Sequence, residues 1–166
     1  RSPLMHHNLE WLHHLDIQYD SSTFDTDPFE PQPDAAGTIF PFWVRKPDYQ
    51  QDQDSIHNSD SSSRTGYVEL PYTLAQDSTL FLLLKERTIT IWKEKLEWIA
   101  ENGGMAFVNV HPDYMAFKNK TSSMTYDASY YEEFLLHAKS EYAGRYWHAK
   151  PIEVAAHFRK SLIGDP

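Results

Sequence analysis

Three short clusters in this chain carry side chains able to move protons or to orient a polar substrate. The first is Asp20, Ser21 and Ser22. The second is Glu69, Tyr72 and Thr73, followed by Asp77. The third is His111 with Asp113 and Tyr114, closing the run "MAFVNVHPDYM". Histidine is the side chain that exchanges a proton near neutral pH, so His111 can donate or accept one. Asp113, two residues on, could orient its ring. Each cluster follows an apolar stretch that reads as a strand. In parallel α/β folds, ligand sites gather beyond the carboxyl ends of the strands. The three clusters are therefore expected at a common rim. A histidine that merely satisfies a turn fits the same spacing, and both readings stay open from the residues alone.

Other candidates are weaker. His6, His7, His13 and His14 form two pairs on one predicted helix, but not at the four-residue spacing of helical zinc pairs, so a solvated flank is the expectation. Asp25-x-Asp27 could hold a divalent cation through carboxylate oxygens. No glycine or late glutamate follows it as in a calcium loop, and an Asx-type turn is favoured. Trp43 and Trp147 are kept as sugar-stacking surfaces; the remaining aromatic residues are read as core. No phosphate loop, dinucleotide fingerprint or nucleophile elbow is present.

The elements that must position these groups follow from local pattern. "SPLMHHNLEWLHHL" predicts an opening helix, with Ser2 as cap and Pro3 in the first turn. "DIQY" predicts a short strand ending at Asp20. "TIFPFWV" predicts a strand that Pro41 confines to a sheet edge. The polar stretch from Arg45 to Gly66 reads as a mobile surface excursion. "YVELP" predicts a strand, and "DSTLFLLL" is ambiguous between helix and strand. Trp92, Leu96 and Ile99 share a helical face, and Gly103 stops that helix. "MAFVNV" predicts a fully buried strand. Asp127 can cap a helix whose inner stripe is Tyr131, Phe134, Leu135, Ala138 and Tyr142, with Gly144 at its end. "YWHA" predicts a brief strand, and Pro151 opens a last helix through Leu162. Strands alternating with helices predict an α/β class with parallel strands and helical crossovers. About four or five short strands are legible, against about eight in a complete barrel.

Composition narrows the function. The 166 residues predict one domain. The formal net charge of −9 disfavours nucleic acid and anionic membrane surfaces as partners. No cysteine is present, so no disulfide or thiolate metal site exists. No apolar run is long enough to span a bilayer. The chain opens at "RSPLMHH" without an initiator methionine or a signal peptide, which predicts a processed product or a fragment. The compartment stays open between cytoplasm and cell envelope.

Taken together, "RSPLMHHNLEWLHHLDIQYDSSTFDTDPFEP", "ELPYTLAQD", "WIAENGGMAFVNVHPDYM" and "YYEEFL" resemble the C-terminal half of a polysaccharide deacetylase. That family of metal-dependent carbohydrate esterases uses the NodB-type distorted (β/α) barrel. The resemblance spans the chain except the excursion from Arg45 to Gly66. It implies that Arg1 and Pro3 belong to an Arg-x-Pro element, whose arginine orients a catalytic base. It implies that His111 is the general acid toward a leaving amine. It also implies a substrate-facing role for Asp77; Tyr72 and Asp20, at the strand ends, and Trp43, as a stacking ring, are the other candidate substrate-binding residues.

The family's aspartate pair and its His-x-x-x-His motif are absent from these residues, and "STFDTD" only echoes the former. The chain is therefore expected to hold no metal. A zinc-like divalent ion is expected only where an N-terminal half supplies the ligands. The implied activity is hydrolysis of a C–N bond other than a peptide bond, removing acetyl groups from N-acetylated sugars, and the isolated chain is predicted to be inactive. A half barrel is expected to self-associate or to pair with its other half. Two alternatives stand beside this reading: a non-catalytic carbohydrate-binding remnant, and a glycosyltransferase using Asp25-x-Asp27.

Overall fold

A computed structural model describes residues 8–25, 35–46, 65–118 and 122–163. In chain order the strands are β1 (Tyr19–Asp20), β2 (Phe42–Arg45), β3 (Gly66–Glu69), β4 (Met115–Ala116) and β5 (Tyr126–Asp127). The helices are α1 (Thr90–Asn102), α2 (Ser129–Glu141) and α3 (Pro151–Ile163). Helical turns stand at Leu9–His14, Ser78–Leu83 and Pro112–Tyr114. The broad class is α/β, with helix and strand mixed. The sheets of the described residues are small and open, and they close no barrel. The sequence reads as one domain; its contacts divide it into two compact units.

The first unit comprises Arg1–Thr23, Phe40–Pro71 and Ala149–Pro166. Its sheet has the order β1-β3-β2. The pair β1–β3 is parallel, matching Asp20 with Glu69, and β2–β3 is antiparallel, matching Arg45 with Gly66. The all-parallel sheet expected from the alternation of elements is thus corrected to a mixed one. Pro41 stands just before β2, and β2 is an edge strand, as proline demands. Both ends of the expected excursion are strand residues, because Arg45 and Gly66 pair with each other; residues 47–64 lie outside the described residues. β3 is the buried centre: Tyr67, Val68 and Glu69 are all covered. Gly66 has φ +152, and a Cβ there would meet the Val44 carbonyl and lie 2.9 Å from the Trp43 ring. Only glycine fits that approach.

The described part of the opening helix is a 3₁₀ turn over Leu9–His14, and Ser2 and Pro3 lie outside the described residues. Leu12 is buried, the Tyr67 hydroxyl donates to the Leu9 carbonyl at 2.8 Å, and His13 Nε2 lies 3.0 Å from the Arg45 carbonyl.

The second unit comprises Phe24–Ile39 and Tyr72–His148. Helix α1 forms as its stripe predicts: Trp92, Leu96 and Ile99 are buried, and Gly103 closes it in the left-handed conformation at φ 72°. Trp92 packs against Phe81 and Phe134, with ring centroids 5.1 and 5.0 Å away, and its indole N–H donates to the Ala75 carbonyl at 2.7 Å. "DSTLFLLL" resolves as a π-helical turn, Ser78–Leu83, with Leu80 and Phe81 turned into the core. Helix α2 buries Phe134, while Tyr131, Ala138 and Tyr142 pack partly against the core. Leu135 is 48% exposed, which corrects its place in the inner stripe. Asp127 accepts from the Ser129 N–H at 2.9 Å, but the cap position of α2 is Ala128, so the expected cap is corrected to a turn one residue ahead of the helix.

The run "MAFVNV" is not a fully buried strand. Ala106 is exposed and its neighbours are half-buried. It runs extended beside residues 72–77 without a regular ladder. Thr73 supplies the stitching. Its amide donates to the Phe107 carbonyl at 2.8 Å, its hydroxyl donates to the Met105 carbonyl at 2.7 Å, and it accepts from the Phe107 N–H at 2.9 Å. Backbone bonds from the Leu74 N–H to the Phe107 carbonyl at 3.1 Å and from the Met105 N–H to the Ile39 carbonyl at 2.8 Å hold the run as well. "YWHA" likewise forms no strand.

Candidate functional site

The side chain of His111 stands against Asp77 in the second unit. Its Nδ1 lies 2.6 Å from Asp77 Oδ1, and its backbone N–H donates to Asp77 Oδ2 at 2.7 Å. Both contacts follow from one alignment. Thr73 and Phe107 are 34 positions apart, and so are Asp77 and His111. The extended run therefore carries His111 to the same register, and Pro112 then turns the chain into a short 3₁₀ turn.

Asp77 is saturated with donors. Oδ1 also accepts from the Ser78 N–H at 2.8 Å, and Oδ2 also accepts from the Tyr126 hydroxyl at 3.0 Å. A carboxylate only accepts and offers about four lone-pair positions, so four donors fill it. Asp77 is fully buried, whereas the His111 side chain is 36% exposed. With Nδ1 taken by Asp77, Nε2 has no hydrogen-bond partner among the described residues. The Tyr114 ring lies 5.2 Å from the imidazole at 45°. Burial, the Asp77 charge and the hydrogen bond to Asp77 push the Tyr126 phenol up, so its O–H persists as a donor.

The arrangement corrects several expectations. Asp113 is exposed and does not orient the ring; Asp77 does. Asp77 is wholly enclosed and holds His111 instead of facing a substrate. Tyr72 is 4% exposed, packs 5.8 Å from Phe24, and takes a hydrogen bond from Gln76 Nε2 at 3.1 Å. Tyr72 is thus a core residue. Gln76 Oε1 in turn accepts from Asn109 Nδ2 at 2.7 Å, extending the polar seam beside Asp77.

Asp20 and Trp43 belong to the first unit. Asp20 lines a shallow pocket with Ile17, Gln18, Tyr19, Ser21 and Ile152. Trp43 carries the Arg159 guanidinium 5.5 Å above its ring, so one face is already covered. Beside Asp20, Glu69 is fully buried. Its Oε1 accepts from the Ser22 N–H at 2.8 Å and from the Thr23 N–H and hydroxyl at 2.9 Å each. Its Oε2 is buried without a hydrogen-bond partner among the described residues. Burial, then the neighbouring Asp20 charge, raises Glu69 from its ordinary 4.5 to about 7.

Arg1 and Asp27 lie outside the described residues. Asp25 is engaged by Lys95, whose ammonium is 2.8 Å from Oδ2. Among the described residues no group of three or more His, Asp or Glu could hold a metal ion. Tyr126 was missed in the sequence because nothing local marks it; it lies 49 positions from Asp77.

Comparison with known proteins finds no matching family model, curated protein or solved structure.

Proposed function

We propose that this chain carries the acid–base part of a polysaccharide deacetylase-like hydrolase, acting on the amide of N-acetylated sugars within a NodB-type distorted barrel. One observation supports it most: the half-exposed imidazole of His111, fixed through Nδ1 by the buried Asp77 at 2.6 Å, with Nε2 left to meet a substrate. As the water oxygen adds to the acyl carbon, Nε2 takes a proton from it and the ring becomes imidazolium; the C–N bond then breaks and the amine leaves with that proton, which frees Nε2 again. Asp77 keeps the ring oriented and offsets the charge of the imidazolium between the two transfers.

The test is acetate release from N-acetylglucosamine oligomers by the whole polypeptide that contains these residues. His111→Ala is expected to lower kcat by about 10²–10⁴-fold with the far-ultraviolet circular dichroism retained. No acetate from the unaltered protein, or unchanged release after His111→Ala, overturns the proposal.

A second reading is a carbohydrate-binding module without catalysis. Tyr146 and Trp147, 49% and 58% exposed, favour it as adjacent aromatic surfaces. Binding of chitin oligomers without acetate release selects it. For the glycosyltransferase reading, Asp25 lies 2.8 Å from the Lys95 ammonium and Asp27 lies outside the described residues.

A further inference from the structure

Asp77 could rotate about its last side-chain bond unless something held both oxygens. Two donors hold Oδ1 and two hold Oδ2. Three of the four come from Ser78 and from His111 itself. The fourth is the Tyr126 hydroxyl, the donor that reaches Asp77 from a separate element. Tyr126 is the first residue of β5, where it pairs with Met115 of β4, a few residues beyond His111. Its ring is 3% exposed and wedged between Phe81, at 4.7 Å, and Tyr130, stacked at 6.4 Å with an interplanar angle of 8°. The hydroxyl therefore has little freedom to leave Asp77.

We infer that Tyr126 is a positioning residue, which locks the Asp77 carboxylate in the rotation that keeps the His111 proton on Nδ1 and frees Nε2. This rests on the acid–base reading of His111 for its catalytic meaning, but the lock itself is a property of the folded protein. The imidazole tautomer is set by the hydrogen bond its other nitrogen makes. Charged and titratable groups near the ring are Asp77 and Tyr126 beneath it, with Asp113 and Tyr114 on its own turn. Asp77 alone reaches Nδ1.

The experiment is nitrogen-15 NMR of the His111 ring in the folded protein. The unaltered protein is expected to show the Nδ1–H tautomer, with a ring proton that exchanges slowly with water. In Tyr126→Phe, Oδ2 loses a donor, and exchange of that proton should accelerate about tenfold, the factor one hydrogen bond to a charged group supports. Global amide protection and the urea midpoint serve as controls for the fold. Where acetate release is measurable, kcat should fall with KM unchanged.

If Tyr126→Phe does not fold, 3-fluorotyrosine at position 126 keeps the ring and strengthens the donor, and exchange should slow. Unaltered His111 ring exchange in either folded variant overturns the inference. A shifted exchange rate in a protein that releases no acetate sustains the lock while removing the deacetylase reading.

Discussion

His111 grips Asp77 twice, through its backbone N–H at 2.7 Å and through Nδ1 at 2.6 Å. Backbone and side chain of one residue converge on the two oxygens of another. That double contact ties the position of the imidazole to the register of the chain and not to a rotamer alone. A shift of one residue along the extended run would break both bonds together.

Asp77→Asn tests that tie. The amide keeps the shape but turns one acceptor into a donor that faces N–H or O–H groups. Stability is expected to fall by about 3 kcal/mol, because a buried site built for four donors then holds two groups that repel. Urea unfolding measures the loss. In the acetate-releasing protein, kcat should drop about 10²-fold or more. A variant with parental kcat would remove Asp77 from the mechanism.

Thr73→Val removes the hydroxyl that serves as donor to Met105 and acceptor for Phe107. The side chain is fully buried, so both backbone partners lose their bond without water in exchange. The expected cost is about 1–3 kcal/mol. The His111 ring resonances should broaden as the register loosens. Sharp, unshifted resonances would mean that the run is held elsewhere.

Glu69 makes the first unit sensitive to pH. Its folded value, about 7, lies above its ordinary 4.5, so the folded state binds the proton more tightly than the unfolded chain. The stabilisation is complete below about pH 4.5 and is lost as pH rises through about 7. The loss across that window is on the order of 3 kcal/mol. Glu69→Gln keeps the accepting oxygen for Ser22 and Thr23 and removes the titration. Its unfolding free energy should be flatter between pH 5 and pH 8, within the window of about three units that linkage defines. An identical slope in both proteins would assign the pH dependence to another group.

Gly66→Ala places a Cβ against the Val44 carbonyl and the Trp43 ring at a backbone angle of φ +152. Strand pairing of β2 with β3 should weaken, at about 1–3 kcal/mol. Thermal unfolding measures it. A melting temperature equal to the parent would show that β2 adjusts freely.

The local signals that held are those whose cause is local. Trp92, Leu96 and Ile99 recur at helical spacing, and Gly103 can take a positive φ, so α1 forms where its pattern says. Pro151 opens α3, and Pro41 keeps β2 at an edge. The signals that failed needed a partner. "MAFVNV" is apolar enough for a buried strand, but the segment beside it bonds through the Thr73 hydroxyl and a few irregular backbone contacts and not through a regular ladder. Leu135 sits at the right spacing on α2 and still faces solvent, because the stripe meets its neighbours through Phe134.

By itself the sequence determined the α/β class, the helices of the second half, the absence of cysteine chemistry, and the candidacy of His111. Composition, period and caps act over a few residues, so they are written in the order of the chain. Only the tertiary structure decided that Asp77 and not Asp113 holds the imidazole, that Tyr72 belongs to the core, and that Tyr126 completes the carboxylate's set of donors. Those relations join residues 34 and 49 positions apart. They depend on which segments lie side by side and in what register, and the packing of the whole unit sets that alignment.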